Sequence, residues 1–274
     1  MKESVIVGPE WLEARLNEPG IRVVDTRDAW EYETIGHIPQ AVNIPFDCYR
    51  DDSTEAPGKL PRVDRFEALF SEAGITPSDT VVAYDDSYGV FAARLCVTSL
   101  VYGHADVRLL DGDFSGWKRE FETTDHVPKV EPSEYTSVPL PQTESPLIDR
   151  TAVEAAIEGD ALLVDTRERQ EFEDARLPGA VRFDWRWVMD TERRRLKPRD
   201  EIEELLTTHG MTPDREIVLY CNTARRISHT YVVLRALGYN DVAFYEGSLS
   251  EWLAQAGETE TGAVTDASAK STKK

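Results

Sequence analysis

The sequence predicts an α/β protein of two tandem domains, each a mainly parallel sheet flanked by helices. Three observations carry that expectation. Short apolar strand patterns alternate with helical patterns along the chain, four segments of the first half recur in order in the second, and a proline- and serine-rich stretch without periodicity separates the halves. At 274 residues, two domains each have the length for a core of their own.

The elements follow in order. In the first half, Pro9 to Leu16 reads as a helix, Arg22 to Asp25 as a strand and Val42 to Phe46 as another strand. Val63 to Ala73 reads as a helix, Val81 to Tyr84 as a short apolar strand, Val90 to Val101 as a helix, Val107 to Leu110 as a strand and Phe114 to Arg119 as a helix. The second half repeats the order, with strands near Leu162 to Asp165, Ile217 to Tyr220 and Val242 to Tyr245. Residues 1–130 are expected to form the first domain and 147–256 the second. The linker between them is 131–146, and 257–274, small, polar and unpatterned, reads as a disordered tail.

The repeat is visible residue by residue. Gly74 to Asp85 (GITPSDTVVAYD) lies over Gly210 to Cys221 (GMTPDREIVLYC) without a gap, and Val23 to Arg27 over Leu163 to Arg167. Ile38-Pro39-Gln40-Ala41 matches Leu177-Pro178-Gly179-Ala180, and Leu110 through Trp117 matches Tyr245 through Trp252. The offset between copies shrinks slowly along the chain, as it does when one domain is duplicated and loops are trimmed. Repeats this long are whole domains, not solenoid units.

The chemistry concentrates at residues 216–232, EIVLYCNTARRISHTYV. A β-branched apolar run ends on Cys221, a short polar loop closes on Arg225 and Arg226, and a helical pattern begins. At such a turn successive backbone N–H groups point into the loop, and the positive end of the helix dipole favours a thiolate. A guanidinium adds a charge that does not titrate away. Four residues, Asn222, Thr223, Ala224 and Arg225, separate Cys221 from Arg226, a length that suits a compact anion or a terminal sulfur atom. A phosphatase loop of the C-x5-R type needs its arginine one place later, where Ile227 stands, so phosphate-ester hydrolysis and arsenate reduction are disfavoured.

The D-T-R segments, followed by G-H-I-P-x-A in the first half and by L-P-G-A in the second, combine with the cysteine loop and a closing G-x-x-x-x-W. The chain thereby resembles the tandem-domain rhodanese family of thiosulfate and 3-mercaptopyruvate sulfurtransferases over roughly residues 5 to 256. The resemblance implies that the second domain is catalytic, with Cys221 carrying a persulfide. The first is implied to be silent, because Asp85 stands at the cysteine position. Donor binding falls to Asn222, Thr223, Ala224, Arg225 and Arg226, with Arg226 matching an anion-binding arginine of many such loops. Arg225 is either catalytic or a solvent-facing charge at a helix start. Ala224 replaces the usual glycine, which would cost about 1 kcal/mol if that position needs positive φ. Asp165 and Arg167, like Asp25 and Arg27, read as a structural brace. Glu171 lies where some tandem sulfurtransferases use an arginine for the donor.

A replacement cation is available nearby. Arg182 to Arg199 holds seven cations against three anions, so Arg182 and Arg186 are further donor-binding candidates, the alternative being a solvated loop paired with acidic neighbours. The implied donor is thiosulfate, a dianion suited to the two basic residues that end the loop, with 3-mercaptopyruvate the alternative. The implied acceptor is a thiophile, either a small thiol or a sulfur-acceptor protein. A module that carries sulfur or binds a partner without turnover is the reading from a different class. No cofactor is implied.

Composition bounds the setting. Lys+Arg of 31 against Asp+Glu of 51 gives a net charge of −20, and only eight of the cations are lysines. Such a surface suits concentrated salt and a halophilic source such as a haloarchaeon, and it favours neither nucleic acid nor anionic membrane as a partner. Cys48, Cys96 and Cys221 suggest no disulfide framework, and neither they nor the five histidines form a metal-ligand pattern. The N-terminal stretch shows no basic leader with an apolar core, and no segment reaches membrane-spanning length, so a cytoplasmic location is expected.

Overall fold

The structure, a computed structural model, describes residues 4–51, 58–104 and 106–263. It divides into two compact units. The first comprises 1–52, 60–145 and 189–196, and the second 53–59, 146–188 and 197–274.

In the first unit, strands β1 (Ile6–Val7), β2 (Ile21–Asp25), β3 (Val42–Asn43), β4 (Thr80–Tyr84) and β5 (Val107–Leu110) form one sheet in the order β1-β5-β4-β2-β3, every pairing parallel. Its helices are α1 (Pro9–Glu13), α2 (Val63–Glu72), α3 (Val90–Val101) and α4 (Phe114–Trp117). The β-branched pairs Val23-Val24 and Val81-Val82 are buried on both faces, as a helix-covered parallel sheet requires. Phe66 and Phe70, one turn apart on α2, place their rings 4.2 Å apart in the core.

The second unit repeats the plan with β6 (Leu147–Ile148), α5 (Arg150–Glu158), β7 (Leu162–Asp165), α6 (Arg169–Asp174), β8 (Val181–Arg182), α7 (Arg199–Thr208), β11 (Ile217–Tyr220), α8 (Arg225–Leu237), β12 (Val242–Tyr245) and α9 (Ser248–Ala254). The sheet order is β6-β12-β11-β7-β8, again parallel throughout. Strands β9 (Met189–Asp190) and β10 (Arg195–Leu196) pair antiparallel, and this hairpin belongs to the first unit.

Three segments depart from expectation. The strand expected over Val42 to Phe46 ends at Asn43, because Pro45 has no N–H to donate, and Phe46–Tyr49 turns into a 3-10 helix. The proline-rich linker lies against the first unit. Tyr135 is buried there beside Phe70, its hydroxyl bonded to His104 Nδ1 at 3.0 Å, and Ser137 Oγ donates to Glu67 Oε1 at 2.7 Å. The tail expected to be disordered from Gly257 onward is held through Gly262. Arg176 and Glu260 exchange two backbone hydrogen bonds, Arg176 Nη1 donates to Gly262 O at 2.9 Å, and Trp252 Nε1 donates to Glu258 O at 2.8 Å. Composition misses this because the acceptors are backbone carbonyls together with the Glu260 carboxylate, which takes bonds from Arg176 Nε and Gly179 N–H, partners far away in the sequence. Residues 264–274 of that tail lie outside the described residues.

Candidate active site

Cys221 is the first residue past β11, the central strand bonded on both sides by β7 and β12. It therefore sits at the carboxyl end of a parallel sheet, where loops can form a site. The residue is 1 % exposed. Its N–H donates to Ser248 Oγ at 3.2 Å and its carbonyl accepts from Leu249 N–H at 3.0 Å, which ties the residue to the start of α9. Ser248 Oγ lies 3.9 Å from Cys221 Sγ, but its single proton has a closer acceptor in Tyr245 O at 2.9 Å.

The loop turns into α8 through Ala224, whose φ of 64° and ψ of −10° are left-handed. The condition attached to the missing glycine is thus met, at about 1 kcal/mol of backbone strain. Ala224 is fully buried, and its carbonyl accepts from both the N–H and the Oγ of Ser228. Arg225 N–H bonds back to Thr223 O at 2.9 Å. The N-terminus of a 13-residue helix then faces the loop.

The D-T-R segment supplies a buried brace. Arg167 Nε and Nη2 hold Asp165 at 2.9 and 2.6 Å, and Nη2 also reaches Ala175 O. Tyr220 closes the same corner by accepting from Leu177 N–H. Arg167 Nη1 continues to Asn222 Oδ1 at 3.2 Å, so the brace touches the cysteine loop itself.

Arg226 is met by a carboxylate. Its Nη1 lies 2.5 Å from Glu171 Oε2 and its Nη2 2.9 Å from Oε1, while Asn222 Nδ2 donates to the same Oε1 at 2.7 Å. Burial raises the Glu171 carboxyl pKa, but the bond and charge of Arg226, with Glu168 N–H and Arg167, bring it below the ordinary value. Burial likewise works against the Arg226 guanidinium. Its bond to Glu171, then its electrostatic interaction with Cys221 and with the Glu171 and Glu168 carboxylates, hold its pKa above the usual value.

Arg182 and Arg186 also lie in the second unit. Arg182 is buried with its guanidinium 4.5 Å over the Trp187 ring and its Nη1 3.8 Å from Asp184. Arg186 forks onto Asp184 and reaches Glu168 at 3.2 Å. The remaining arginines of the stretch are also paired. Arg193 meets Asp190, Arg199 meets Glu203, and Arg194 and Arg195 meet Asp113, Glu10 and Glu120 in the first unit. The net positive count in sequence becomes a set of ion pairs in the fold.

At the matching place in the first unit stands Asp85. Its Oδ1 accepts from Ser87 and Gly89 N–H and its Oδ2 from Phe91 and Ala92 N–H, all between 2.7 and 3.1 Å. This loop carries its own anion. Burial outweighs the four donors and pushes the carboxyl up to about 6.

Sequence reasoning overlooked three contributors. Ser248 overlays Asp113 in the repeat, the one signal that could have found it. Ser250 Oγ donates to Asn222 O at 2.8 Å. Gly58, at φ 97°, lies so close to the Thr223 carbonyl that an added Cβ would sit 2.6 Å from its oxygen, and the adjoining Lys59 bonds Glu251 at 2.6 Å. The other cysteines are free thiols. Cys96 is buried in α3, where burial raises its pKa strongly, and Cys48 is half-buried.

Two copies of one parallel α/β domain, one ending its central strand on a cysteine within an N–H-rich loop, define a class of thiolate-based transfer proteins. The chain belongs to the rhodanese family: residues 8–120 and 149–255 each match the Rhodanese-like domain. It is 34 % identical to the thiosulfate sulfurtransferase of Pseudomonas aeruginosa, over 90 % of this chain and 93 % of that protein. It is 32 % identical to the sulfur carrier protein TtuD of Thermus thermophilus, over 91 % and 93 %. The crystal structure of SseA from Escherichia coli, a 3-mercaptopyruvate sulfotransferase, shares the fold with a TM-score of 0.80 at 24 % identity, covering 90 % of this chain and 99 % of that one. No helix among the described residues is long and apolar enough to cross a membrane.

Proposed function

We propose that this protein is a sulfurtransferase that moves sulfane sulfur from thiosulfate to a thiophilic acceptor through a persulfide on Cys221. The observation that carries the reading is the placement of Cys221 between the end of β11 and the N-terminus of α8, in a loop closed by Arg226. The Cys221 thiolate attacks the outer sulfur of thiosulfate, the sulfur–sulfur bond breaks, and sulfite leaves with the bonding pair. An acceptor such as cyanide in assay, or a thiol or acceptor protein in the cell, then attacks the outer sulfur of the persulfide. Thiocyanate or its equivalent forms, and the thiolate returns.

Backbone N–H groups of Asn222, Thr223, Ala224 and Arg226 are the groups we assign to the persulfide's negative sulfur, the Arg225 N–H being taken by Thr223 O, with Arg225 and Arg226 supplying charge and Arg182 and Arg186 an outer contribution. Residues 147–256 are the catalytic domain in this reading and 1–130 the silent one, since the Asp85 carboxylate has no thiol to form a persulfide. The acidic, lysine-poor composition supports work at high salt, and the three free cysteines support a reducing cytoplasm.

Incubation with thiosulfate should add the mass of one sulfur atom to the peptide containing Cys221 and leave Cys48 and Cys96 unmodified. A gain elsewhere with Cys221 intact would overturn the assignment. The likeness to TtuD favours a second reading, a sulfur carrier. It takes up the same sulfur and hands it only to a partner protein, without turnover on cyanide.

A further inference from the structure

Arg226 closes the cysteine loop, yet both of its terminal nitrogens are taken by one carboxylate. The same Glu171 holds Asn222, the residue after the nucleophile, so a single side chain ties the start of the loop to its end. Asn222 is gripped from its other side by Arg167, which is itself committed to Asp165. The four side chains Asp165, Arg167, Glu171 and Arg226 thus form two ion pairs that sum to no net charge. The Glu171 and Arg226 side chains are 29 % and 23 % exposed, so the pair stands where solvent, and a solute, can sense it.

We infer that Glu171 is a positioning residue that sets the charge preference of the sulfur site: by holding Arg226 in a closed pair it disfavours a dianionic donor relative to a monoanionic one. The inference rests on the sulfurtransferase reading. Its physical basis is that the energy of a fixed charge with a donor scales with the donor's own charge. An uncompensated Arg226 would attract thiosulfate about twice as strongly as the monocarboxylate 3-mercaptopyruvate. Compensation by Glu171 removes most of that difference.

The test is steady-state turnover of the full chain with cyanide as acceptor, with thiosulfate and with 3-mercaptopyruvate, at low and high salt. Glu171→Gln should lower the KM for thiosulfate relative to that for 3-mercaptopyruvate by roughly two- to fivefold, the effect of one solvent-screened charge. The gap should close as salt rises. Glu171→Asp keeps the charge and should keep the native donor ratio even where turnover falls. If Glu171→Gln lowers kcat equally for both donors with no change in KM ratio or salt dependence, Glu171 is only structural and the inference is overturned. A raised thiosulfate KM overturns it too, since Glu171 would then be orienting Arg226 toward the dianion. No turnover of the native protein with either donor would overturn the sulfurtransferase reading, and the inference with it.

Discussion

Arg167 donates from Nη1 to Asn222 Oδ1, whereas the matching atom of Arg27 in the first unit is buried without a hydrogen-bond partner. Both arginines brace an aspartate at the end of a buried strand in the same way. Only the second extends that brace into the loop that follows Cys221. In the first unit the residue matching Asn222 is Asp86, which turns to Ser115 and Arg194.

Asn222→Ala should therefore loosen the cysteine loop. It removes bonds to two charged partners, Arg167 and Glu171, and a stability loss of about 1–3 kcal/mol is expected, with turnover on thiosulfate falling alongside. Denaturant unfolding and steady-state rates measure the two effects. Unchanged values in both would mean that the bridge is incidental.

Arg226→Ala should reduce donor-dependent turnover more than Arg225→Ala. Truncating Arg226 strips the partner from a part-buried carboxylate beside the nucleophile, which costs on the order of 2 kcal/mol or more. Equal losses at several salt concentrations would instead mark both arginines as a generic positive field.

Ala224→Gly should stabilise the protein by up to about 1 kcal/mol, since glycine adopts the left-handed conformation that alanine holds under strain. Thermal unfolding reads the gain. A loss would show that the buried methyl group of Ala224 contributes more through packing than its backbone costs.

The Asp85 carboxyl, pushed up to about 6 by burial, binds a proton more readily in the folded chain than in the unfolded one, whose value is the ordinary 3.8. Its contribution to stability is therefore fully present below that ordinary value and is lost as pH rises through about 6. Compared with Asp85→Asn, the native protein should lose on the order of 2–3 kcal/mol between pH 4 and pH 7, measured by unfolding at constant salt. The opposite trend would mean that the four N–H donors outweigh burial.

Much was legible in the sequence. Strand and helix alternation, the duplicated segments, the cysteine at a strand-to-helix turn and its aspartate counterpart depend on local pattern and on order along the chain, and a linear string records both. Ala224 in place of glycine announced a strained turn. What the string does not record is which charges meet. Glu171 lies far from Arg226 in sequence, and nothing local marks it as the partner that neutralises the loop. The arginines from Arg182 to Arg199 count as a positive patch along the chain, while folding disperses them among Asp184, Glu168, Asp190, Asp113, Glu10, Glu120 and Glu203. Likewise the tail through Gly262 is held by Arg176, by backbone carbonyls and by the Glu260 carboxylate, pairings between residues far apart in the sequence. Periodicity and motif spacing follow from the geometry of one or two turns, and so the sequence determined them. Electrostatic compensation falls off with distance in space, not along the chain, and so only the tertiary structure decided it.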